Sequence, residues 1–345
     1  MTRPPPIPPF WCPLPPALHP EHRLAQEHQV SWMTASAVPP ESDRRAALAR
    51  HRIGELAARF APRATVPGLL VLTDLLTLTF VLDDLYDTPG SDPGLADRTA
   101  VLRAAAAHTR VPSADPVGRA VQRMLSSHAA LASPGLSSHL ARAIDESLAA
   151  NLDEHLSRSR LVPDLDAYVL HRRATTWFVP IADVLAVADG PEPAPAELDR
   201  PAVRALIDMT NLVTGWDNDL YGYARDRAAA TLDHVNLPDV LARSLGCTPA
   251  EAVRLGLGLR DEVLARFLRL SARTAATAGP DLRALLANLA ASIRGQLDWT
   301  AGTDRFRAPG ALAGQPEPPT DRRPAPPDRL PPIAGSLWWW PLTEE

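Results

Sequence analysis

Two acidic stretches of this 345-residue chain, 135 positions apart, carry residue types that can hold a metal ion. The first reads Asp83-Asp84-Leu85-Tyr86-Asp87, and the second Asn218-Asp219-Leu220-Tyr221-Gly222-Tyr223-Ala224-Arg225-Asp226. On a helix of about 3.6 residues per turn, Asp83 and Asp87 share one face, and Asn218, Gly222 and Asp226 form a second stripe at steps of four. Two such stripes facing each other make a cage of hard oxygen donors. Carboxylate and amide oxygens suit Mg²⁺, which keeps several waters and completes its shell from substrate phosphates, so the implied substrate is a diphosphate. An acidic helix face on its own is ordinarily solvated surface. Asp83 is different, because it follows Thr79-Phe80-Val81-Leu82 at the end of the most apolar run of the chain. Paired carboxylates there are costly unless they reach a cavity or a metal.

With these two motifs the chain resembles the bacterial class I terpene synthases (terpene cyclases), over roughly residues 10–308. Asp83, Asp84 and Asp87 match the family's DDxxD motif. Asn218, Gly222 and Asp226 match its NDxxSxxxE motif, with Gly for Ser and Asp for Glu. Arg172, 46 positions before Asn218, stands where the family keeps a diphosphate-sensing arginine; Arg225 matches a usual basic residue, and Arg305-Phe306 a C-terminal Arg-Tyr pair. The resemblance implies three Mg²⁺ ions held at Asp83, Asp87, Asn218, Gly222 and Asp226. It implies guanidinium forks from Arg172, Arg225 and Arg305 on the diphosphate, a geometry arginine serves best. Asp84 is expected to pair with an arginine in a closed state. Thr175 and Thr176 occupy the linker and effector positions, where a backbone carbonyl helps trigger ionisation and the family usually has Gly at the second. The catalytic set is thus Asp83, Asp84, Arg172, Thr176 and Arg305. Phe80, Trp177, Phe178, Trp299 and Phe306 are expected as an aromatic wall that stabilises a carbocation without quenching it. The implied reaction is Mg²⁺-dependent ionisation and cyclisation of a linear prenyl diphosphate, farnesyl diphosphate (C15), to a cyclic terpene hydrocarbon or alcohol. Geranylgeranyl diphosphate is the alternative substrate. A non-catalytic prenyl-diphosphate binder and a helical scaffold are the rival readings, and a prenyl chain elongase is disfavoured because it carries two DDxxD motifs. A homodimer is a further expectation from the family.

The elements that must position these residues read as helices. Stretches 41–60, 139–160, 202–226 and 281–302 are rich in Ala and Leu with apolar residues at three- and four-residue spacing, as in Leu140, Ile144, Leu148 and Leu152. No run of alternating β-branched residues competes with them. The expected fold is all-α, a single-domain class I terpenoid synthase bundle with a central pocket. Of 37 prolines, nine fall in residues 1–20 and ten in 309–345, so the middle is free to be helical. The expected organisation is a Pro-rich segment 1–18, the synthase domain 19–310 and a Pro-rich, disordered tail 311–345. Three adjacent tryptophans, Trp338 to Trp340, need a docking surface or a partner. A net charge of −5 argues against nucleic acid, and two cysteines are too few for a disulfide framework, which suits a reducing cytoplasm. The first 20 residues lack the apolar core of a secretory signal. The run 69–82 contains Asp74 and is shorter than the roughly 20 apolar residues a membrane span needs, so a buried helix is expected. His19, His22 and His28 with Glu21 and Glu27 are read as covering the pocket rather than binding ions.

Overall fold

Helix-forming residues and capping signals divide the chain into fourteen α-helices among the described residues, with no strand. The computed structural model describes residues 7–87, 94–107, 112, 114–157, 164–228, 236–306, 318–327, 330–331, 333 and 337–343; for 87 and 224–228 it describes the backbone alone. In order the helices are α1 (His22–Ser36), α2 (Ser42–Arg50), α3 (Ile53–Phe60), α4 (Val66–Asp87), α5 (Leu95–Ala106), α6 (Pro116–Ala129) and α7 (Pro134–Ser157). There follow α8 (Leu165–Thr175), α9 (Phe178–Ala188), α10 (Pro195–Leu198), α11 (Pro201–Ala228), α12 (Leu237–Leu245), α13 (Pro249–Ala276) and α14 (Pro280–Gly302). Several begin with Pro in the first turn, where its missing N–H would have no partner anyway. Asp115, Asp164, Asn236 and Thr248 accept a backbone N–H at their helix starts, and Thr248 and Glu251 close a reciprocal capping box on α13.

Helix α4 runs through the middle of the bundle, packed on α3, α9, α1, α6 and α7. It extends beyond the apolar run read from the sequence. By length and composition its residues Val66–Tyr86 could cross a membrane, yet 72% of that window is buried inside the fold. The threonines of α4 tolerate burial because their hydroxyls bond back to carbonyls one turn earlier: Thr73 to Leu69 (2.8 Å), Thr77 to Thr73 (2.7 Å) and Thr79 to Leu76 (2.8 Å). At its start a glycine is required. A Cβ on Gly68 would lie 2.3 Å from the Ala188 carbonyl at the end of α9.

Across from α4, α11 packs on α13 and α14 and also meets α8 and α9. Beneath α11 lies an arginine with no exposure at all: Arg260 donates to Asp217 (2.8 Å), to Asp261 (3.0 Å) and to the Trp11 carbonyl. This buried charge is kept by partners on three segments, and removal of one would leave a charge stranded. The N-terminal segment is therefore pinned to the core. It pairs with the other end of the chain, Cys12 N–H to the Thr320 carbonyl (2.8 Å) and Thr320 N–H to the Phe10 carbonyl (2.9 Å).

The expectation of a disordered tail does not describe these residues of it. Ile333, Leu337 and Trp339 are buried, and Trp340–Thr343 forms a 3₁₀ turn against α13. Apolar bulk explains this, since exposed tryptophan is costly and a groove on the helices accepts it. Of the N-terminal histidines, His19 bonds the Ala64 carbonyl (2.9 Å) and His28 pairs with Asp74 of α4 (2.6 Å).

Candidate active site

Six helices converge on a cleft that encloses about 660 Å³ together with its open mouth. Helix α4 brings Leu76, Thr79, Phe80 and Asp83; the junction of α8 and α9 brings Arg172, Thr175, Thr176, Trp177 and Phe178; α11 brings Thr214, Gly215 and Asn218; Gln296 and Arg305 come from α14 and the segment after it. Leu56, Phe60 and Ile181 add apolar surface to the lining, and Asp83, Arg172 and Arg305 add charge. Such a cleft can hold an apolar chain with an anionic head.

The break between α8 and α9 follows from local chemistry. Trp177 sits in the left-handed region (φ +61°), which costs energy for a bulky residue and is held by the packing around it. Pro180 has no N–H, so the helical donor to the Thr176 carbonyl does not exist. Asn211 grips this break from α11: its Nδ2 donates to the Arg173 carbonyl (2.7 Å), and its Oδ1 accepts the Thr176 hydroxyl. The Thr176 methyl fills the space over Gly215, where a Cβ would lie 2.7 Å from it.

Arg172 donates from its terminal Nη2 to Asp219 (2.8 Å) and to the Gly215 carbonyl (3.5 Å). Burial works against its charge, but Asp219, the Tyr168 hydroxyl, Glu154 and Asp83 outweigh this and hold its pKa above the ordinary arginine value. Its Nε is buried without a partner. Tyr168 donates to the same Asp219, whose carboxylate also accepts the Leu237 N–H (3.0 Å). Arg305 bonds Asp83 (3.3 Å) and Asp84 (3.3 Å), with its guanidinium 4.7 Å from the centre of the Phe80 ring. The carboxylates of this pair are 38% and 42% exposed, so solvent screens it and an incoming anion can compete for Arg305.

Of the residues expected from the sequence, Phe80, Asp83, Arg172, Thr175, Thr176, Trp177, Phe178, Asn218 and Arg305 line one cleft. Trp299 does not line it. Its N–H is satisfied by the His51 and Arg52 carbonyls (2.8 and 3.0 Å), which turns the ring behind the wall, edge-on to Phe80 and Phe306 at 5.6 and 6.1 Å. Phe306 is buried beside it and beside Tyr221 (6.2 Å). Gly222 is on α11 outside the lining, and the side chains of Asp87, Arg225 and Asp226 lie outside the described residues. Among the described residues no three His, Cys, Asp or Glu side chains come together as a metal site. The donors present still fit a hard divalent ion: the Asp83 carboxylate and the Asn218 amide border the same cavity, with no sulfur or imidazole among its lining residues. Sequence reasoning assigned no role to Asp219, Asn211 or Gly215. A signal existed for two of them, since Asn211, Gly215, Asn218 and Gly222 form one stripe at steps of four, three and four along α11.

Residues 74–266 match the family described as terpene synthase family 2, C-terminal metal binding, a span of more than half the chain that includes Asp83, Arg172 and Asn218. The chain belongs to this terpene synthase family. Spiroviolene synthase of Streptomyces violens is 30% identical, with 97% of this chain and 96% of that protein covered. The (+)-T-muurolol synthase of Streptomyces clavuligerus, described as cyclising (2E,6E)-farnesyl diphosphate, is 29% identical over 97% of this chain and 82% of its own. Among solved structures, a point-mutant form of the SVS_A2 protein from ancestral sequence reconstruction superposes with a TM-score of 0.82 at 28% identity, covering 97% of this chain and 98% of that one. The helical bundle and its cleft are thus the class I terpene synthase fold, and the protein is a terpene synthase enzyme of a metal-binding family.

Proposed function

We propose that this terpene synthase ionises and cyclises farnesyl diphosphate in the cleft between α4 and α11, releasing diphosphate and a cyclic C15 hydrocarbon or alcohol. The observation that carries the reading is that Asp83, Asn218, Arg172 and Arg305 line one cleft together with Leu56, Phe60, Phe80 and Ile181. Asp83, Asp87, Asn218 and Asp226 would hold three Mg²⁺ ions, with Gly222 offering no donor of its own but leaving room for water. When bound, the metal supplies positive charge that stabilises the departing diphosphate.

The chain's own residues do the rest. Arg172 presents a fork already charged and already aimed, so little reorganisation accompanies binding. Arg305 exchanges its screened carboxylates for diphosphate oxygens. Phe80, Trp177 and Phe178 offer ring faces to the hydrocarbon cation, which attract positive charge and carry no lone pair to trap it. The apolar part of the lining keeps bulk water away while the cation folds. A homodimer and a cytoplasmic location belong to this proposal.

Incubation with Mg²⁺ and geranyl, farnesyl or geranylgeranyl diphosphate, followed by gas chromatography, tests it. Farnesyl diphosphate should give the principal cyclic product. A product from geranylgeranyl diphosphate alone would replace the chain length, and none from any would refute the reading. Asp226→Asn should raise the Mg²⁺ concentration for half-maximal turnover, because an anionic ligand is lost; an unchanged metal requirement would remove Asp226 from the site.

A further inference from the structure

The tryptophan run lies outside the cleft and takes no part in the chemistry above, yet it is wired to it. Trp339 is fully buried, and its indole N–H donates to Asp208 Oδ2 on α11 (2.6 Å). The Trp338 indole also favours the charged form of this carboxylate. The other oxygen, Asp208 Oδ1, accepts from Arg173 Nε (2.6 Å), and Arg173 is the chain neighbour of Arg172. Burial pushes the Asp208 carboxyl up, and Arg173 and the two indoles oppose this, so its charge depends on those three groups. One turn along α11, Asn211 bonds both the Arg173 carbonyl and the Thr176 hydroxyl. The run is itself anchored: Arg266 lies 3.7 Å from the Trp340 ring centre and bonds Thr343 (2.6 Å), and Arg273 bonds the Leu342 carbonyl (3.0 Å).

We propose that residues 337–343 are a positioning clamp: Trp339, through Asp208, fixes Arg173 and the end of α8 and thereby aims Arg172 into the cleft. This rests on the cleft being a diphosphate site. Helix α8 has only 11 residues and ends in a strained turn, so its last turn depends on lateral bonds for its position. A displacement near 1 Å at such a residue costs far more than the bond that prevented it. Trp339 and Asp208 are positioning residues, and neither reaches the substrate.

The test uses the full chain and inorganic diphosphate with Mg²⁺, whose affinity is read by calorimetry independently of turnover. Trp339→Phe keeps the buried ring and removes the N–H. It should weaken diphosphate binding about fivefold or more, the low end of coupling between two sites, and raise KM more than it lowers kcat. Asp208→Asn should do the same, and the double variant should lose no more than the larger single change, since both break one linkage. If Trp339→Phe does not fold, Asp208→Asn carries the test. Unchanged diphosphate affinity in the variants, whatever their melting temperatures, would reduce the run to a structural cover and overturn the clamp. A wild-type protein that binds no diphosphate with Mg²⁺ would instead overturn the proposed function, and the clamp with it.

Discussion

Arg172 and Arg173 are adjacent in sequence and opposite in duty. Arg172 borders the cleft and bonds Asp219, whereas Arg173 faces away and bonds Asp208. In steady-state kinetics Arg172→Lys should be nearly as damaging as Arg172→Ala, each lowering kcat/KM by ~10²-fold, because a point-charge ammonium cannot reproduce a planar fork. Arg173→Ala should cost roughly fivefold. The reverse order of sensitivity would place the diphosphate contact one residue away from Arg172. Helical spacing singled out Asp83 and Asn218 and the family resemblance singled out Arg172, and the three line one cleft. Asp219 was not singled out. Its role depends on Tyr168 and Arg172, some 50 positions earlier, and only the fold brings them together. Trp299 was legible as an aromatic near Arg305 but not in its facing, which is set by the backbone carbonyls its N–H must satisfy.

Helices α7, α11 and α14 were readable from apolar periodicity, and α4 from its continuous apolar run. The apolar run 69–82 is shorter than α4 because Pro67 and Gly68 precede it and Asp83 and Asp84 follow it, while the hydroxyls of the threonines within it bond back to the helix. The join of α8, α9 and α11 is a matter of close approach. Gly215 is fitted to Thr176, so Gly215→Ala pushes its Cβ against the Thr176 methyl, 2.7 Å away, and must shift the turn that carries Arg172. Turnover should fall about tenfold or more. Thr176→Gly in the same chain removes the methyl and should restore most of it, as measured by product formation per enzyme. Full activity in Gly215→Ala, or no rescue in the double variant, would contradict a fitted pair.

At the scale of the molecule, the two Pro-rich ends do what composition alone could not reveal, closing on each other at Trp11 and Thr320 and covering α11 and α13 with buried aromatics. Proline counts report a lack of helix, and they are silent on docking. A pH dependence arises from His51, which follows α2 and feels the charge of Arg305. Burial, reinforced by Arg305, lowers its pKa from 6.5 to about 4. The unfolded chain takes up the proton near 6.5 and the folded protein only near 4, so the unfolded state binds more protons between these values. Stability is therefore full above about 6.5 and lost as the pH falls toward 4, and His51→Gln should flatten part of that loss in thermal melts. An identical acid limb in the variant would contradict it. The central claim is that α4 and α11 face each other as two halves of one ionisation site. The most direct measurement is Mg²⁺-dependent release of inorganic diphosphate from farnesyl diphosphate by the wild type, Asp83→Ala and Asn218→Ala. The account predicts release by the wild type and a loss of at least ~10²-fold in each variant at unchanged circular dichroism; release at wild-type rates by both variants would contradict it.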